Sequence, residues 1–140
     1  MADELVADAS VVAKFYFTEA LSEVARSVLN SSAIVIAPNL VFAELTNVAV
    51  KRVRRGISTP EQATAAIASL PGLFDRTVAT ASLRERGLTL AIELRVSGYD
   101  AIYLALAEAV HCPLVTADER LVRAAEQAGA GGLVRSLSCY

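Results

Sequence analysis

Histidine is nearly absent from this 140-residue chain, where His111 stands alone. That argues against a histidine-rich metal site and against any nucleophile needing an imidazole base. At the end of a helix-like stretch, His111 suits the negative end of a helix dipole. Cysteine is scarce as well. Cys112 and Cys139 lack the paired spacing of a zinc site, and no disulfide between them is expected. Cys112, just before Pro113, reads as a small buried hydrophobe.

Long apolar runs are missing too. None approaches the ~18 residues a membrane span requires, although apolar residues make up 54% of the chain and mean hydropathy is +0.46. The opening Met1-Ala2-Asp3-Glu4 lacks the basic segment of a secretory signal. A cytoplasmic protein without membrane contact is therefore expected. The apolar surplus is expected to fill a buried parallel sheet and a subunit interface. Basic excess is absent: net charge is −2, and Lys14 and Lys51 are the only lysines. The chain is not a globally basic nucleic-acid binder. Its one dense cationic cluster is Lys51, Arg52, Arg54 and Arg55.

No repeat, linker or low-complexity segment divides the sequence, so residues 1–140 read as one domain. Apolar, β-branched segments at 4–8, 33–37, 114–116 and 133–137 read as strands, with 73–78 an ambiguous edge strand. Helical periodicity covers 10–17, 19–29, 81–96 despite Gly87, 100–111 and 118–128. Asn39 is expected to cap a helix running to Arg54, ended by Gly56. Thr59-Pro60-Glu61-Gln62 carries the signature of a capping box and starts a helix to about Leu70. Strands alternating with helices predict an α/β fold, a three-layer α/β/α sandwich with a mainly parallel central sheet. Its functional crevice should lie beyond the carboxyl ends of the strands.

Aspartate is rare, yet three of the five fall at such places. Asp8 follows the first strand, Asp118 follows a late one, and Asp100 opens a helix. Each also suits a helix cap. Glu44 lies among Val41, Phe42, Ala43 and Leu45, where a partly buried glutamate needs a partner. It can equally belong to a solvated stripe with Asn47 and Lys51. Two carboxylates about 4 Å apart repel by roughly 4 kcal/mol at an effective dielectric of ~20. A convergent cluster must therefore take up protons or hold a cation, and oxygen ligands suit Mg²⁺ or Mn²⁺. Ser10 and Thr116, each two residues from an aspartate, have hydroxyls that can orient carboxylates or waters.

Four segments carry a family resemblance. Val6-Ala7-Asp8-Ala9-Ser10, Pro38 to Glu44, Tyr99-Asp100-Ala101-Ile102-Tyr103-Leu104-Ala105 and Val115-Thr116-Ala117-Asp118-Glu119-Arg120-Leu121 resemble the four acidic motifs of the PIN domain. Order and spacing match across essentially the whole chain, and the details look most like VapC-type toxins. The resemblance implies strand order 3-2-1-4-5 and an Mg²⁺- or Mn²⁺-dependent endoribonuclease. It places the acidic site at Asp8, Glu44, Asp100 and Asp118, with Thr116 at the family's hydroxyl position. It also implies a homodimer, an RNA substrate and a cognate antitoxin. Metal held by Asp8, Asp100 and Asp118, with Glu44 completing the shell, would position a water for attack on RNA. The family includes housekeeping RNA-processing nucleases, and a non-catalytic PIN-like binding protein is the remaining alternative.

For the RNA path, Asn47, Lys51 and Arg54 or Arg55 follow Glu44 along one helix face, and Arg120 is a further groove candidate. The aromatic run Phe15-Tyr16-Phe17 suits core or dimer packing better than base stacking. Two other folds with clustered acids fit less well. A phosphotransfer receiver needs adjacent acids after its first strand and a late lysine. An aspartate-nucleophile phosphatase needs Asp-x-Asp where this chain has Asp8-Ala9-Ser10.

Overall fold

The computed structural model describes residues 3–32 and 34–140. Met1, Ala2 and Ala33 lie outside the described residues, and with them the opening of the chain and the first residue of the expected second strand. Five strands form one sheet: β1 (Glu4–Ala7), β2 (Ile34–Pro38), β3 (Arg76–Val78), β4 (Leu114–Thr116) and β5 (Val134–Ser136). Their order is β3-β2-β1-β4-β5, and all four neighbouring pairs run parallel. The expected class and strand order hold, and the ambiguous segment is the edge strand β3. The helices are α1 (Ala9–Tyr16), α2 (Ser22–Ser31), α3 (Leu40–Arg54), α4 (Pro60–Ser69), α5 (Arg84–Leu94), α6 (Gly98–Val110) and α7 (Glu119–Gln127).

The centre of the sheet is where the apolar runs lie. Leu5, Val6 and Ala7 of β1 are all 0% exposed, which only a strand covered on both faces achieves. Helix α6 supplies much of the cover through Ala101, Tyr103, Leu104, Ala105, Leu106 and Ala107. The outer strands are three residues each and put Arg76-Thr77 and Arg135 at the surface, which blunts both edges. Gly87 has a packing reason: a Cβ there would stand 2.9 Å from Cδ1 of Ile102, so its missing side chain leaves room on α5 for that isoleucine of α6. Arg86 and Glu108 lock the same pair of helices in a bidentate ion pair at 2.6 and 2.9 Å.

Several boundaries differ from the sequence reading, each for a local reason. Helix α2 begins at Ser22, not Glu19, because Ser22 works as a turn clip. Its Oγ accepts from the Glu19 N–H and donates to the Phe17 carbonyl, and Leu21 turns left-handed at φ 66°. Asn39 precedes α3 but makes no capping bond. The Leu40 N–H instead donates to Thr80 Oγ1 at 2.8 Å, so the cap comes from across the sheet edge. The stretch from Ala81 splits into a 3₁₀ turn, Thr80–Leu83, and α5 proper, which ends at a left-handed Arg95. Thr59 and Gln62 do form the reciprocal capping box.

Core position decides stability. Leu104→Ala, at a fully buried site, should cost about 2–5 kcal/mol in urea unfolding. Ile92→Ala, at a site 70% exposed, should change it by less than about 0.5 kcal/mol.

Candidate active site

The site is built by strand register. β1 and β4 lie side by side with Ala7 opposite Val115, so Asp8 leaves the sheet beside Thr116. Asp8 is buried and ringed by donors. Its Oδ1 accepts from Ser10 Oγ and from the Val11 N–H at 3.1 Å, and its Oδ2 accepts from Thr116 Oγ1. The two hydroxyls have no freedom to turn away. Ser10 Oγ accepts from the Ala117 N–H and Thr116 Oγ1 from the Asp118 N–H, both at 3.0 Å. Each hydroxyl hydrogen is thereby aimed at Asp8.

The other carboxylates come from three further elements; Glu44 and Asp118 line one crevice, whose lining includes neither Asp8 nor Asp100. Glu44 projects from α3, half-buried, and accepts from the hydroxyl of Tyr103 on α6 at 2.7 Å. Asp100 does not open α6. Ser97 takes the cap, its Oγ accepting from the Asp100 N–H at 3.0 Å, which leaves the Asp100 carboxylate unspent on capping. Asp118 caps α7, accepting from the Arg120 and Leu121 N–H groups. Asp8 likewise caps α1.

Charge ties the four together. Burial pushes the Asp8 carboxyl up to about 6; its hydrogen bonds pull it back, and the charge of Asp100 raises it further. Burial also raises Glu44, opposed by the Tyr103 hydroxyl and reinforced by Asp100. Asp100 is raised by burial and by the charge of Asp118. Tyr103 is pushed up by burial and then by Glu44, so it remains a donor. None of the four acids is ion-paired with lysine or arginine among the described residues. Also among the described residues, no group of three or more His, Cys, Asp or Glu side chains is gathered closely enough to hold a metal ion.

A cleft of 480 Å³ opens on this edge, with Ser10, Lys14, Glu44, Asn47, Lys51 and Asp118 in its lining. Of the expected RNA contacts, Asn47 and Lys51 are there. Arg54 is not: it borders a separate apolar groove with Val50, Val53 and Ile67 between α3 and α4. The helix twist carries it off the face shared by Glu44 and Lys51. Arg55 is the exposed C-cap of α3, and Arg120 is exposed in the first turn of α7. Phe17 is core, under the guanidinium of Arg52.

The sequence reading missed Tyr103 and Ser97. Tyr103 lies one helical turn from Asp100, and a tyrosine buried to 2% needs a partner for its hydroxyl. Ser97, three residues before Asp100, has the spacing of a cap.

Residues 5–127 match the family model described as PIN domain. The chain belongs to the PIN-domain family. Among its PIN relatives, the protein is 35% identical over 122 residues to Ribonuclease VapC1 of Mycobacterium tuberculosis, covering 87% of this chain and 91% of that one. It is 31% identical over 120 residues to Ribonuclease VapC3 of Pyrobaculum aerophilum, covering 84% and 92%. Two crystal structures share the PIN fold. PAE2754 from Pyrobaculum aerophilum superposes with TM-score 0.72 at 23% identity, over 99% of this chain and 94% of that one. Mycobacterium tuberculosis VapC20, described as a sarcin-ricin loop cleaving toxin, gives 0.64 at 21% identity, over 86% and 95%.

Asp8 sets a pH signature for the metal-free protein. Its native carboxyl keeps a proton to about pH 6, whereas the unfolded one releases it near 3.8. The group's stabilisation is whole below the unfolded value and is lost as pH rises through about 6, a change of about 3 kcal/mol. In chelator, Asp8→Asn should therefore be more stable than the parent at neutral pH, with the gap closing towards about pH 4. Urea denaturation across that range checks it, and parallel pH profiles for the two proteins would contradict it.

Proposed function

We propose that this protein is a divalent-metal-dependent endoribonuclease, the toxin of a type II toxin–antitoxin pair, and that Asp8, Glu44, Asp100 and Asp118 form its acidic site. The observation that carries the reading is electrostatic. Carboxylates from four separate elements stand at the carboxyl edge of a parallel sheet, where Asp100 raises the proton affinity of Asp8 and Glu44 and Asp118 raises that of Asp100. Among the described residues none of the four is ion-paired with lysine or arginine. The family match and the two ribonuclease relatives support it.

The donor set fits Mg²⁺ or Mn²⁺. All the available ligands are oxygens, and Mg²⁺ keeps several waters while taking one or two carboxylates together with substrate phosphate. Among the described residues no three of these side chains are gathered closely enough to hold an ion by themselves, so waters and substrate phosphate would fill much of its shell. Asp8, Asp100 and Asp118 would share the ion through such waters, and Glu44 would fix one of them. When bound, such an ion neutralises phosphate charge and acidifies water.

The chain's own residues do the positioning. Ser10 and Thr116 lock the rotation of Asp8, and Tyr103 does the same for Glu44. Asn47 and Lys51 line the cleft where a phosphate would lie. A water attacks phosphorus in line, the P–O3′ bond breaks, and the products carry 5′-phosphate and 3′-hydroxyl ends. The protein acts in the cytoplasm as a homodimer, held silent by its antitoxin.

Sequencing RNA ends after induction of the chain tests the reading, with Asp100→Asn as control. New 5′-phosphate ends should appear with the parent and fall by about 10²–10³-fold with the variant. A 2′,3′-cyclic phosphate product would reject water as the attacking group. Separately, Mg²⁺ at about 100 times its dissociation constant should stabilise the fold by about 2.7 kcal/mol. Asp8→Asn should lose most of that gain, and a parent melting curve indifferent to both Mg²⁺ and Mn²⁺ would count against the metal site.

A further inference from the structure

Lys14 on α1 and Arg52 on α3 are far apart in sequence, yet one carboxylate holds both. Glu19 Oε1 lies 3.2 Å from Lys14 Nζ, and its Oε2 lies 3.5 Å from Arg52 Nη1. The turn that carries Glu19 is pinned rather than loose. Its backbone N–H donates to buried Ser22 Oγ at 2.9 Å, and Arg26 Nε donates to the Phe15 carbonyl at 3.0 Å. The Glu19–Arg52 pair therefore links two spaces, Glu19 lining one and Arg52 the other. On one side is the acidic cleft, whose lining includes both Lys14 and Glu19. On the other is a cavity of 630 Å³ bordered by Tyr16, Arg52, Ser58, Gln62 and Ala65.

Arg52 is set in place before any ligand arrives. Its guanidinium lies 4.7 Å over the Phe17 ring, and Nε donates to Ser58 Oγ at 3.1 Å. Both cations are mostly covered, with side chains 17% and 15% exposed for Lys14 and Arg52, while Glu19 is 37% exposed. Two cations share one anion, so the triad carries a net positive charge at the mouth of a negative cleft. Glu19 is the most exposed member of the triad and reaches Arg52 only at 3.5 Å, so a better anion can displace it from both cations. A phosphodiester is such an anion: its two free oxygens match the fork of an arginine while a lysine takes the charge. The cavity beyond is of small-molecule size, within the ~300–1,000 Å³ range, and mixes hydroxyl, amide and aromatic groups.

Building on the endoribonuclease reading, we propose that Lys14 and Arg52 exchange Glu19 for a backbone phosphate flanking the cut, and that the cavity beyond Glu19 seats the attached nucleoside. The cleft and the cavity then form one substrate track, with the triad at the step between them. Glu19 keeps the cations paired when no RNA is present.

The test is binding of a labelled, mixed-sequence single-stranded RNA of about 12 nucleotides, in an Asp100→Asn background with Mg²⁺, over a range of salt. Arg52→Gln and Lys14→Gln should each weaken binding about tenfold and lower the salt slope by about 0.7. Glu19→Gln should tighten binding about two- to fivefold, a gain that misfolding cannot mimic. Ala65→Trp, which fills the cavity from an exposed helix position, should weaken binding about tenfold while the melting temperature holds. Unchanged or weaker binding by Glu19→Gln, or an unchanged slope in Arg52→Gln, overturns the phosphate site. Unchanged affinity in Ala65→Trp overturns the nucleoside seat. A parent chain that cleaves RNA while all these variants bind alike sinks the subsite and spares the nuclease reading. A parent that neither binds nor cleaves RNA sinks both.

Discussion

The parallel pairing of β1 with β4 is the contact on which the rest of the site depends. It makes neighbours of residues 108 positions apart, Asp8 and Thr116, and joins the loops after both strands through two hydroxyls. The sheet edge is thus a polar junction built on an apolar floor, because Leu5, Val6, Ala7, Leu114 and Val115 beneath it are wholly buried. Moving either strand by one residue would turn these side chains to opposite faces and take the junction apart.

Placing a carboxylate at that junction has an energetic cost, and the surroundings offset only part of it. Three hydrogen bonds stabilise the charged form of Asp8, yet burial outweighs them and the carboxyl remains well above its usual range. Glu44 and Asp100 show the same balance at half burial. A fold relieved of these acids would be easier to stabilise. That unoffset cost is the physical ground on which the acidic site is proposed.

Much of this was legible in the chain itself because the relevant signals are local. Apolar runs ended by aspartate, the Thr59–Gln62 capping box and the glycine after α3 each act within a few residues. The details that escaped are those settled across the fold. Thr80, just past the end of β3, accepts from the first N–H of α3, so Asn39 keeps the position of a cap without its bond. Tyr103 meets Glu44 over 59 positions, a partnership invisible to helical periodicity. Arg54 shows the limit of face-counting: three residues after Lys51, it borders the groove beside α4 and not the cleft. The sequence reads Asp100 as both an acidic-site residue and a helix opener, and only the fold shows that Ser97 takes the cap.

The hydroxyl junction also sets different demands on neighbouring positions. Positions 10 and 116 work through side chains that must both accept and donate, so Ser and Thr can interchange there while Ala or Val cannot serve. Position 117 donates its backbone N–H to Ser10 Oγ, while its methyl group packs against the core and borders the cleft. A small residue suits it, and one small-to-medium residue is barred outright. Proline, having no N–H to give, would release the serine hydroxyl and unfasten the loop from the strand beside it.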